Sequence, residues 1–255
     1  MAIPAAQLGS MLEGKVILLT GAGSGIGKAT SMLAAAAGAT VIATDLKGHD
    51  ETAAAIGEAG GKAEAHSLDV TDEGSWNLVV EDVLRSHGRI DGLANIAGIV
   101  TDRDSLLTQD LEGWDLIMAV DLKGPWLGMK TVVPHMLRNS GGKVVNVASV
   151  AGLIGMPNVL AYSTAKGGVV AMSRQVAMEY ADQGLRVNVI APGVISTPML
   201  GNITEELLAG AKAATPTKSV GRPEDIGAMI VYLLGAGSDF ITGQVMTIYG
   251  GWTAQ

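Results

Sequence analysis

The 255-residue chain has no cysteine, a single phenylalanine and few charges. Without cysteine there are no disulfides, no thiolate nucleophiles and no sulfur-ligated metal sites. A reducing cytoplasm suits such a chain, and we expect the protein to reside there. Charged residues make up only 16% of the sequence against 48% hydrophobic residues. That balance excludes a disordered chain and favours a sheet covered on both faces.

Positive charge is also scarce, with 17 Lys and Arg against 25 Asp and Glu and a formal net charge of −8. No basic run could follow a phosphate backbone, so nucleic acid is not an expected partner. Residues 1–15 lack the basic and apolar regions of a signal peptide. The uncharged run 144–165 is long enough to cross a bilayer, but Asn146, Pro157 and Asn158 interrupt it. We expect a strand and a loop there, and no membrane partner.

Short apolar segments alternate with segments of helical pattern along the chain. The predicted strands are 15–20, 40–45, 62–68, 91–95, 143–149, 185–191 and 244–248. This alternation predicts an α/β protein of the Rossmann type, a doubly wound parallel sheet of about seven strands with helices on both faces. No repeat, linker or break in composition marks a second domain. Residues 1–255 are therefore expected to form one domain, with a substrate lid at about 197–220.

A glycine-rich string, TGAGSGIG, lies at residues 20–27, between the first predicted strand and a helix. Gly21, Gly25 and Gly27 allow a tight turn and a close approach of the backbone to a pyrophosphate, which the free N–H groups at the helix start would favour. An ordinary turn would also explain the string by itself. Asp45 strengthens the prediction, because a carboxylate at the end of the second strand can accept hydrogen bonds from an adenosine ribose.

The same carboxylate favours NAD(H) over NADP(H). Asp45 would repel a 2′-phosphate, and neither Ser24 nor Leu46, the positions that would hold that phosphate, is basic. Lys28 and Lys47 lie nearby in the sequence, and solvated positions explain both. The predicted cofactor is therefore NAD(H).

A second motif supplies reactive groups. Tyr162 and Lys166 are four residues apart, on one face of a predicted helix, and Ser149 lies thirteen residues before Tyr162. A phenol is a poor base near neutral pH because its reference pKa is about 10, and a neighbouring ammonium would stabilise the phenolate. Ser149 can hold a carbonyl or hydroxyl oxygen. A tyrosine and a lysine at this spacing usually only pack, so the pair acquires meaning from the glycine-rich string.

Together, TGAGSGIG, Ser149 and the segment Tyr162-Ser-Thr-Ala-Lys166 resemble the short-chain dehydrogenase/reductase family over essentially the whole chain. The resemblance implies hydride transfer between NAD(H) and a small-molecule secondary alcohol or ketone. It implies that Tyr162 moves the proton, that Ser149 orients the substrate and that Lys166 also holds the nicotinamide ribose. It further implies a homotetramer.

The resemblance extends the cofactor site to other loops at the same edge of the sheet. Asp69 and Val70 match adenine contacts, the run 95–98 matches the family's Asn-Asn-Ala-Gly, and the run 192–197 matches its Pro-Gly-x-x-x-Thr. The implied cofactor-binding residues are Gly21, Ser24, Gly25, Ile26, Gly27, Asp45, Leu46, Asp69, Val70, Asn95, Ala97, Gly98, Tyr162, Lys166, Pro192, Ile195 and Thr197.

Asp121 departs from the family pattern, which commonly has an asparagine 28 residues before Ser149. In the family that amide helps to hold a water that connects the lysine to solvent. An aspartate accepts hydrogen bonds but cannot donate as an amide does, and an ionised one would favour a charged Lys166. We expect Asp121 to keep this catalytic relay with a shifted pH profile. The alternative is a solvated or capping residue near the site.

The loops expected to form the substrate pocket, at 99–107, 151–161 and 197–220, are largely apolar. The predicted substrate contacts are Ser149, Leu153, Met156 and Met199, and the three apolar ones would serve equally as packing beneath the lid. The expected substrate is a neutral, moderately apolar secondary alcohol or ketone. Arg103 could bind an acidic group, but a solvated side chain suits it better. The four histidines show no metal-ligand spacing, so no metal is expected.

Two other functions stay open. One is an NADP-dependent 3-oxoacyl ketoreductase, which would call for NADP and a basic docking patch for a carrier protein. The other is a non-catalytic regulator that senses NAD(H), a role open to any domain of this fold. The intact set of Ser149, Tyr162 and Lys166 argues against the regulator.

Overall fold

The computed structural model describes residues 9–101, 105–201 and 205–252. Its strands are β1 Val16–Thr20, β2 Thr40–Asp45, β3 Lys62–Ser67, β4 Gly92–Asn95, β5 Gly142–Val147, β6 Leu185–Pro192 and β7 Val245–Ile248. Each matches a predicted strand, with bounds that differ by two residues at most. Arg103 lies outside the described residues.

The strands form one parallel sheet in the order β3-β2-β1-β4-β5-β6-β7. The chain runs outward from β1 to β3 and then returns to β4 on the other side of β1. The loops that follow β1 and β4 therefore diverge and leave a crevice at the carboxyl edge of the sheet. The predicted doubly wound, Rossmann-type fold is confirmed.

Helices cover both faces of this sheet: α1 Gly25–Ala36, α2 His49–Glu58, α3 Glu73–His87, α4 Leu111–Met118, α5 Gly124–Arg138, α6 Leu160–Tyr180, α7 Glu205–Ala214 and α8 Pro223–Leu234. Ile17 and Leu19 of β1 join the core under α1, α2 and α8. Val16 and Leu18 join the core under α3, α5 and α6. Successive strand residues point to opposite faces, so an unbroken apolar strand supplies both cores.

The helical pattern over 114–138 suggests one continuous helix, but the structure interrupts it. A π-helical turn, Ala119–Lys123, joins α4 to α5 and contains Asp121. Such turns insert an extra residue into a helix and are frequent at functional sites.

The predicted lid region opens with a short turn, Pro198–Leu200, and continues into α7. Residues 202–204 lie outside the described ranges. Across the described parts of the chain, no helix combines the length and the apolar character required to span a membrane. The same parts contain no group of three potential metal-ligating side chains.

Candidate active site

The loop from β1 to α1 is built on close approaches between backbone atoms. A Cβ at Gly21, whose φ is +68°, would lie 2.8 Å from the nitrogen of Ala97, and a Cβ at Gly27 would lie 1.9 Å from the carbonyl oxygen of Gly21. Both positions therefore require glycine. Ser24 precedes α1, and its side chain makes no capping hydrogen bond. The N–H groups at the start of α1 can thus bind an anion in the cleft that residues 24–27 line.

Thr20, at the end of β1, connects this loop to the loop after β4. Its Oγ1 accepts hydrogen bonds from the N–H groups of Ile96 (3.0 Å) and Ala97 (3.1 Å). The two walls of the crevice are therefore fixed to each other. Sequence reasoning had used Thr20 only as the first letter of the glycine-rich string.

Asp45 is held by backbone donors at the end of β2. Its Oδ2 accepts from the N–H of Gly23 (3.0 Å) and its Oδ1 from the N–H of Leu46 (2.7 Å). A Cβ at Gly23 would lie 1.9 Å from the carbonyl oxygen of Lys47, so the contact requires a glycine there. Gly23 was absent from the predicted set, although its place within the glycine-rich string was a usable signal.

Most of the predicted cofactor residues come together in two adjoining hollows, which share Ile26, Ile96, Gly98, Thr197 and Met199. The first hollow, the cofactor cleft, is lined by the predicted residues Gly21, Ser24, Gly25, Ile26, Gly27, Asp45, Leu46, Asp69, Val70, Ala97, Gly98 and Thr197. The second, the substrate cavity, is lined by the predicted residues Ser149, Tyr162, Lys166, Pro192 and Ile195.

Asn95 lies behind the cleft and does not line it. Its Nδ2 donates to Oδ1 of Asn146 (2.7 Å), and Nδ2 of Asn146 donates to Oγ of Ser173 (2.9 Å). All three side chains are buried. Because buried amides need partners, this chain of hydrogen bonds connects β4, β5 and α6. The structure thus gives Asn95 a place in the framework under the site, and its contact with the cofactor stays a prediction.

The three reactive side chains meet at the substrate cavity from two segments. Tyr162 and Lys166 lie one turn apart on α6, and the Lys166 Nζ is 5.6 Å from the centre of the Tyr162 ring. Ser149 follows β5 and begins the short turn Val150–Gly152, where its Oγ accepts from the N–H of Ala151 (3.2 Å). A hydroxyl that accepts one bond can still donate to a substrate oxygen.

Lys166 is almost fully buried and has two partners behind the cavity. Its Nζ donates to the carbonyl oxygen of Val147 (3.1 Å) and lies 3.1 Å from Oδ2 of Asp121. Asp121 is itself 0% exposed, and its Oδ1 accepts from the N–H of Ile99 (2.8 Å). The interpretation of Asp121 as a solvated or capping residue therefore does not hold. It contacts the predicted catalytic lysine directly.

The substrate cavity is apolar apart from its reactive groups. Met156 and Met199 line it as predicted, whereas Leu153 is 40% exposed and is not part of the lining. Trp252, which follows β7, also lines the cavity. Sequence reasoning missed it, although a tryptophan four residues after a strand end at this edge was a signal. Lys166 is the one cationic side chain among the described lining residues.

Comparisons with known proteins identify the family of this chain. A family model described as enoyl-(acyl carrier protein) reductase matches residues 21–253. The chain is 43% identical over 244 residues to the 3-oxoacyl-[acyl-carrier-protein] reductase FabG of Thermotoga maritima, which covers 94% of this chain and 98% of the relative. It is 35% identical over 248 residues to the cis-4-hydroxycyclohexanecarboxylate dehydrogenase of Sinomonas cyclohexanicum, covering 97% of this chain and 100% of the relative.

Among solved structures, that of levodione reductase matches with a TM-score of 0.92 at 33% identity, and the match covers 95% of this chain and 99% of the other. The similarity thus includes the sheet, the glycine-rich loop and the Tyr162 region alike. The chain belongs to the short-chain dehydrogenase/reductase family and is an oxidoreductase that acts on CH–OH groups with a nicotinamide cofactor.

Proposed function

We propose that the protein is an NAD(H)-dependent enzyme that interconverts a neutral, moderately apolar secondary alcohol and its ketone. The observation that carries this proposal is the meeting of Ser149, Tyr162 and Lys166 at an apolar cavity that adjoins the cleft lined by Asp45. A relative named for a ring alcohol that also carries a carboxylate, the cis-4-hydroxycyclohexanecarboxylate dehydrogenase, supports a secondary alcohol as the reacting group.

The residues of the cleft fit a dinucleotide. The first turn of α1 would hold the pyrophosphate. Gly21 and Gly27 have no Cβ, so the backbone of this loop can pack tightly and approach the cofactor closely. Asp45 would accept from the adenosine ribose hydroxyls, and Asp69 and Val70 would flank the adenine. On the other side, the residues proposed to hold the nicotinamide end are Lys166, Pro192, Ile195 and Thr197.

Three side chains carry out the proton transfer in this proposal. The substrate hydroxyl lies between Ser149 and Tyr162, and its proton passes to the Tyr162 oxygen in oxidation and returns from it in reduction. Lys166 stabilises the phenolate by its positive charge. Ser149 donates to the developing carbonyl oxygen. The chemistry supplied by the nicotinamide, when bound, is the transfer of hydride to or from the substrate carbon.

The charges of the cleft support NAD(H) as the cofactor. Its lining includes the carboxylates of Asp45 and Asp69 and, among the described residues, no lysine or arginine. Leu46, beside Asp45, is 62% exposed and offers no charge to a 2′-phosphate. A 2′-phosphate would therefore meet repulsion without compensation.

A second candidate is a 3-oxoacyl thioester reductase that uses NADPH. The observation that favours it is the 43% identity to the reductase of Thermotoga maritima. The substrate cavity is compatible with either reaction, because reduction of a 3-oxo group needs the same proton donor. The cofactor cleft argues for the first proposal.

One assay panel separates the two candidates. Cyclohexanol, an open-chain secondary alcohol and a short 3-oxoacyl thioester are each tested with NAD(H) and with NADP(H), following the absorbance of the reduced nicotinamide. We expect the ring alcohol to be oxidised with NAD and NADP to support little turnover. Reduction of the thioester with NADPH, at a higher kcat/KM than any alcohol with NAD, would establish the second candidate instead.

We further propose that residues 197–220 act as the substrate lid, because Met199 and Leu200 line the cavity.

As the family resemblance implies, we propose a cytoplasmic homotetramer. Exposed apolar side chains on α4 and α5, Leu116 and Trp126, offer surface for such contacts. Light scattering of the purified protein, which gives its mass in solution, tests the tetramer.

A further inference from the structure

A buried ion pair lies behind the substrate cavity. The Asp121 Oδ2 and the Lys166 Nζ are 3.1 Å apart, and the two side chains are 0% and 3% exposed. Charges at this depth carry a large desolvation penalty unless each meets its counter-charge and further hydrogen-bonding partners. Each charge therefore depends on the other. Asp121 stabilises the protonated form of Lys166, and Lys166 stabilises the ionised form of Asp121.

Both oxygens of Asp121 face hydrogen-bond donors. Oδ1 accepts from the N–H of Ile99 at 2.8 Å, and Oδ2 faces the ammonium of Lys166. An amide at this position would present one oxygen and one NH₂ group, so it would set a donor against either Ile99 or Lys166. The surroundings of this side chain thus match a carboxylate and do not match an asparagine.

The backbone makes room for the pair. A Cβ at Gly98 would lie 3.1 Å from both the Asp121 Oδ2 and the Lys166 Nζ, so a side chain there would crowd both groups. The π-helical turn Ala119–Lys123 presents Asp121 to α6. Gly98 and the π-helical turn therefore both favour the contact between Asp121 and Lys166.

Lys166 depends on this counter-charge. Burial acts most strongly and by itself lowers the pKa of Lys166, but the Asp121 carboxylate and, to a smaller extent, Tyr162 raise the pKa above its ordinary value. Burial is also the strongest influence on Asp121 and leaves the pKa of its carboxyl above the ordinary value, although the Lys166 ammonium and the N–H of Ile99 oppose that rise. The 3.1 Å contact between the carboxylate and the ammonium, together with the hydrogen bond from Ile99, nevertheless favours the ionised pair.

The surroundings contain few other charges. Of the described residues, the titratable group that faces the pair is Tyr162, on α6 with Lys166. The loop after β4 contributes the N–H of Ile99, and β5 contributes the carbonyl of Val147. A pH effect at this site therefore concerns Asp121, Lys166 and Tyr162.

We propose that Asp121 is a positioning residue, whose buried carboxylate keeps Lys166 protonated and holds it against the Val147 carbonyl beside Tyr162. It acts through Lys166 and does not touch the reacting atoms. The proposal rests on the proposed function, because it places Asp121 behind the proton-transfer step of that reaction. The role differs from that of a relay residue, since it requires a negative charge and direct contact.

The first test is the pH dependence of kcat for alcohol oxidation with NAD. Asp121→Asn removes the charge at nearly constant volume, so burial should then lower the pKa of Lys166 and the ammonium should lose its proton at lower pH. We expect the alkaline limb of the profile to move down by about one pH unit or more. Asp115→Asn makes the same chemical change at an exposed position of α4 and should leave the profile unchanged. Superimposable profiles for the wild type and Asp121→Asn would overturn the proposal.

The second test is a double-mutant cycle on thermal unfolding, which needs no substrate. Asp121→Asn leaves a buried ammonium without its carboxylate, and Lys166→Met leaves the carboxylate without its ammonium. The double variant removes both charges, so it should lose less in Tm than the sum of the single variants. Additive losses would contradict the ion pair. A failed alcohol panel beside a non-additive cycle would contradict the proposed function alone.

Discussion

The two halves of the sheet's carboxyl edge are built by different means. On the β1–β2 side the cleft is made of backbone, and a Cβ at Gly21, Gly23 or Gly27 would collide with other main-chain atoms. On the β5–α6 side the site is made of side chains from separate segments, with Tyr162 and Lys166 on a helix that faces an apolar cavity. A site built from backbone atoms tolerates few substitutions, and the positions it restricts lie close together in the sequence. A side-chain site depends on residues that are distant in sequence, so its weak points are single functional groups.

The largest effect is expected from removing one functional group on the side-chain half. Tyr162→Phe deletes the oxygen that we propose exchanges the proton, and it should reduce kcat by about 1,000-fold. The ring remains, so the Kd for NADH, measured by fluorescence titration, should change by no more than about threefold, since only one hydrogen bond of the whole cofactor is at stake. Turnover within tenfold of the wild type would remove Tyr162 from the proton-transfer step. Absence of turnover in the wild type itself would favour the NAD(H)-sensing regulator.

On the backbone half, one added methyl group should be damaging. Gly27→Ala places a Cβ 1.9 Å from the Gly21 carbonyl oxygen, and we expect the free energy of unfolding to fall by about 3 kcal/mol. NADH affinity should fall with it, because the turn that holds the pyrophosphate must shift. Urea unfolding measures the first effect. Gly57→Ala is the control: it lies in α2, where a Cβ meets nothing within 4 Å, and should raise stability by about 0.5–1 kcal/mol. Equal stability of the two variants would contradict the claim that the turn at Gly27 has no room for a Cβ.

Asp45 is the side chain that we propose selects the cofactor on the backbone half. Asp45→Ser combined with Leu46→Arg removes the repulsion of a 2′-phosphate and adds a cation. The ratio of kcat/KM for NAD to that for NADP should fall by roughly 30-fold, about 2 kcal/mol. Asp50→Ser removes a carboxylate that is 82% exposed and lies outside the cleft, and it should leave the ratio unchanged. An unaltered ratio in the double variant would disprove our interpretation of Asp45.

The smallest effect is expected from Trp252, which lines the substrate cavity. Trp252→Ala should raise KM for cyclohexanol about fivefold relative to an open-chain alcohol, which corresponds to about 1 kcal/mol of lost contact with the ring. Leu153→Ala is the matched control, because Leu153 is exposed and does not line the cavity. If Leu153→Ala alters the preference and Trp252→Ala does not, the wall has been assigned to the wrong residue.

The same contrast explains what the sequence could predict. The glycine-rich string was recognisable because its steric demands fall on neighbouring positions, and strands such as β1 and β2 because each is an apolar run of the proper length. The orientation of Asn95 could not be predicted, because a position at a strand end indicates an edge but not the direction of the side chain, which Asn146 binds in the interior. Trp252 was missed because its cavity is assembled from segments that only the fold brings together.

Asp121 lies between these cases. Its departure from the family pattern was visible in the sequence, but its direct contact with Lys166 was not. The helical pattern through 114–138 contains no sign of the π-helical turn, whose Asp121 contacts Lys166 of α6 and Ile99 in the loop after β4. Tertiary contacts, rather than local preference, decide where a helix accommodates one additional residue.

That turn makes the chemistry of the site sensitive to the length of the chain. Each residue of an α-helix turns the next by about 100°, so deleting one residue from the turn Ala119–Lys123 would restore regular helical pairing and swing Asp121 away from Lys166. Every amino-acid type around the pair would stay the same. Descendants of this chain could therefore gain or lose the counter-ion of their catalytic lysine by a one-codon insertion or deletion, a route that a comparison of aligned substitutions would overlook.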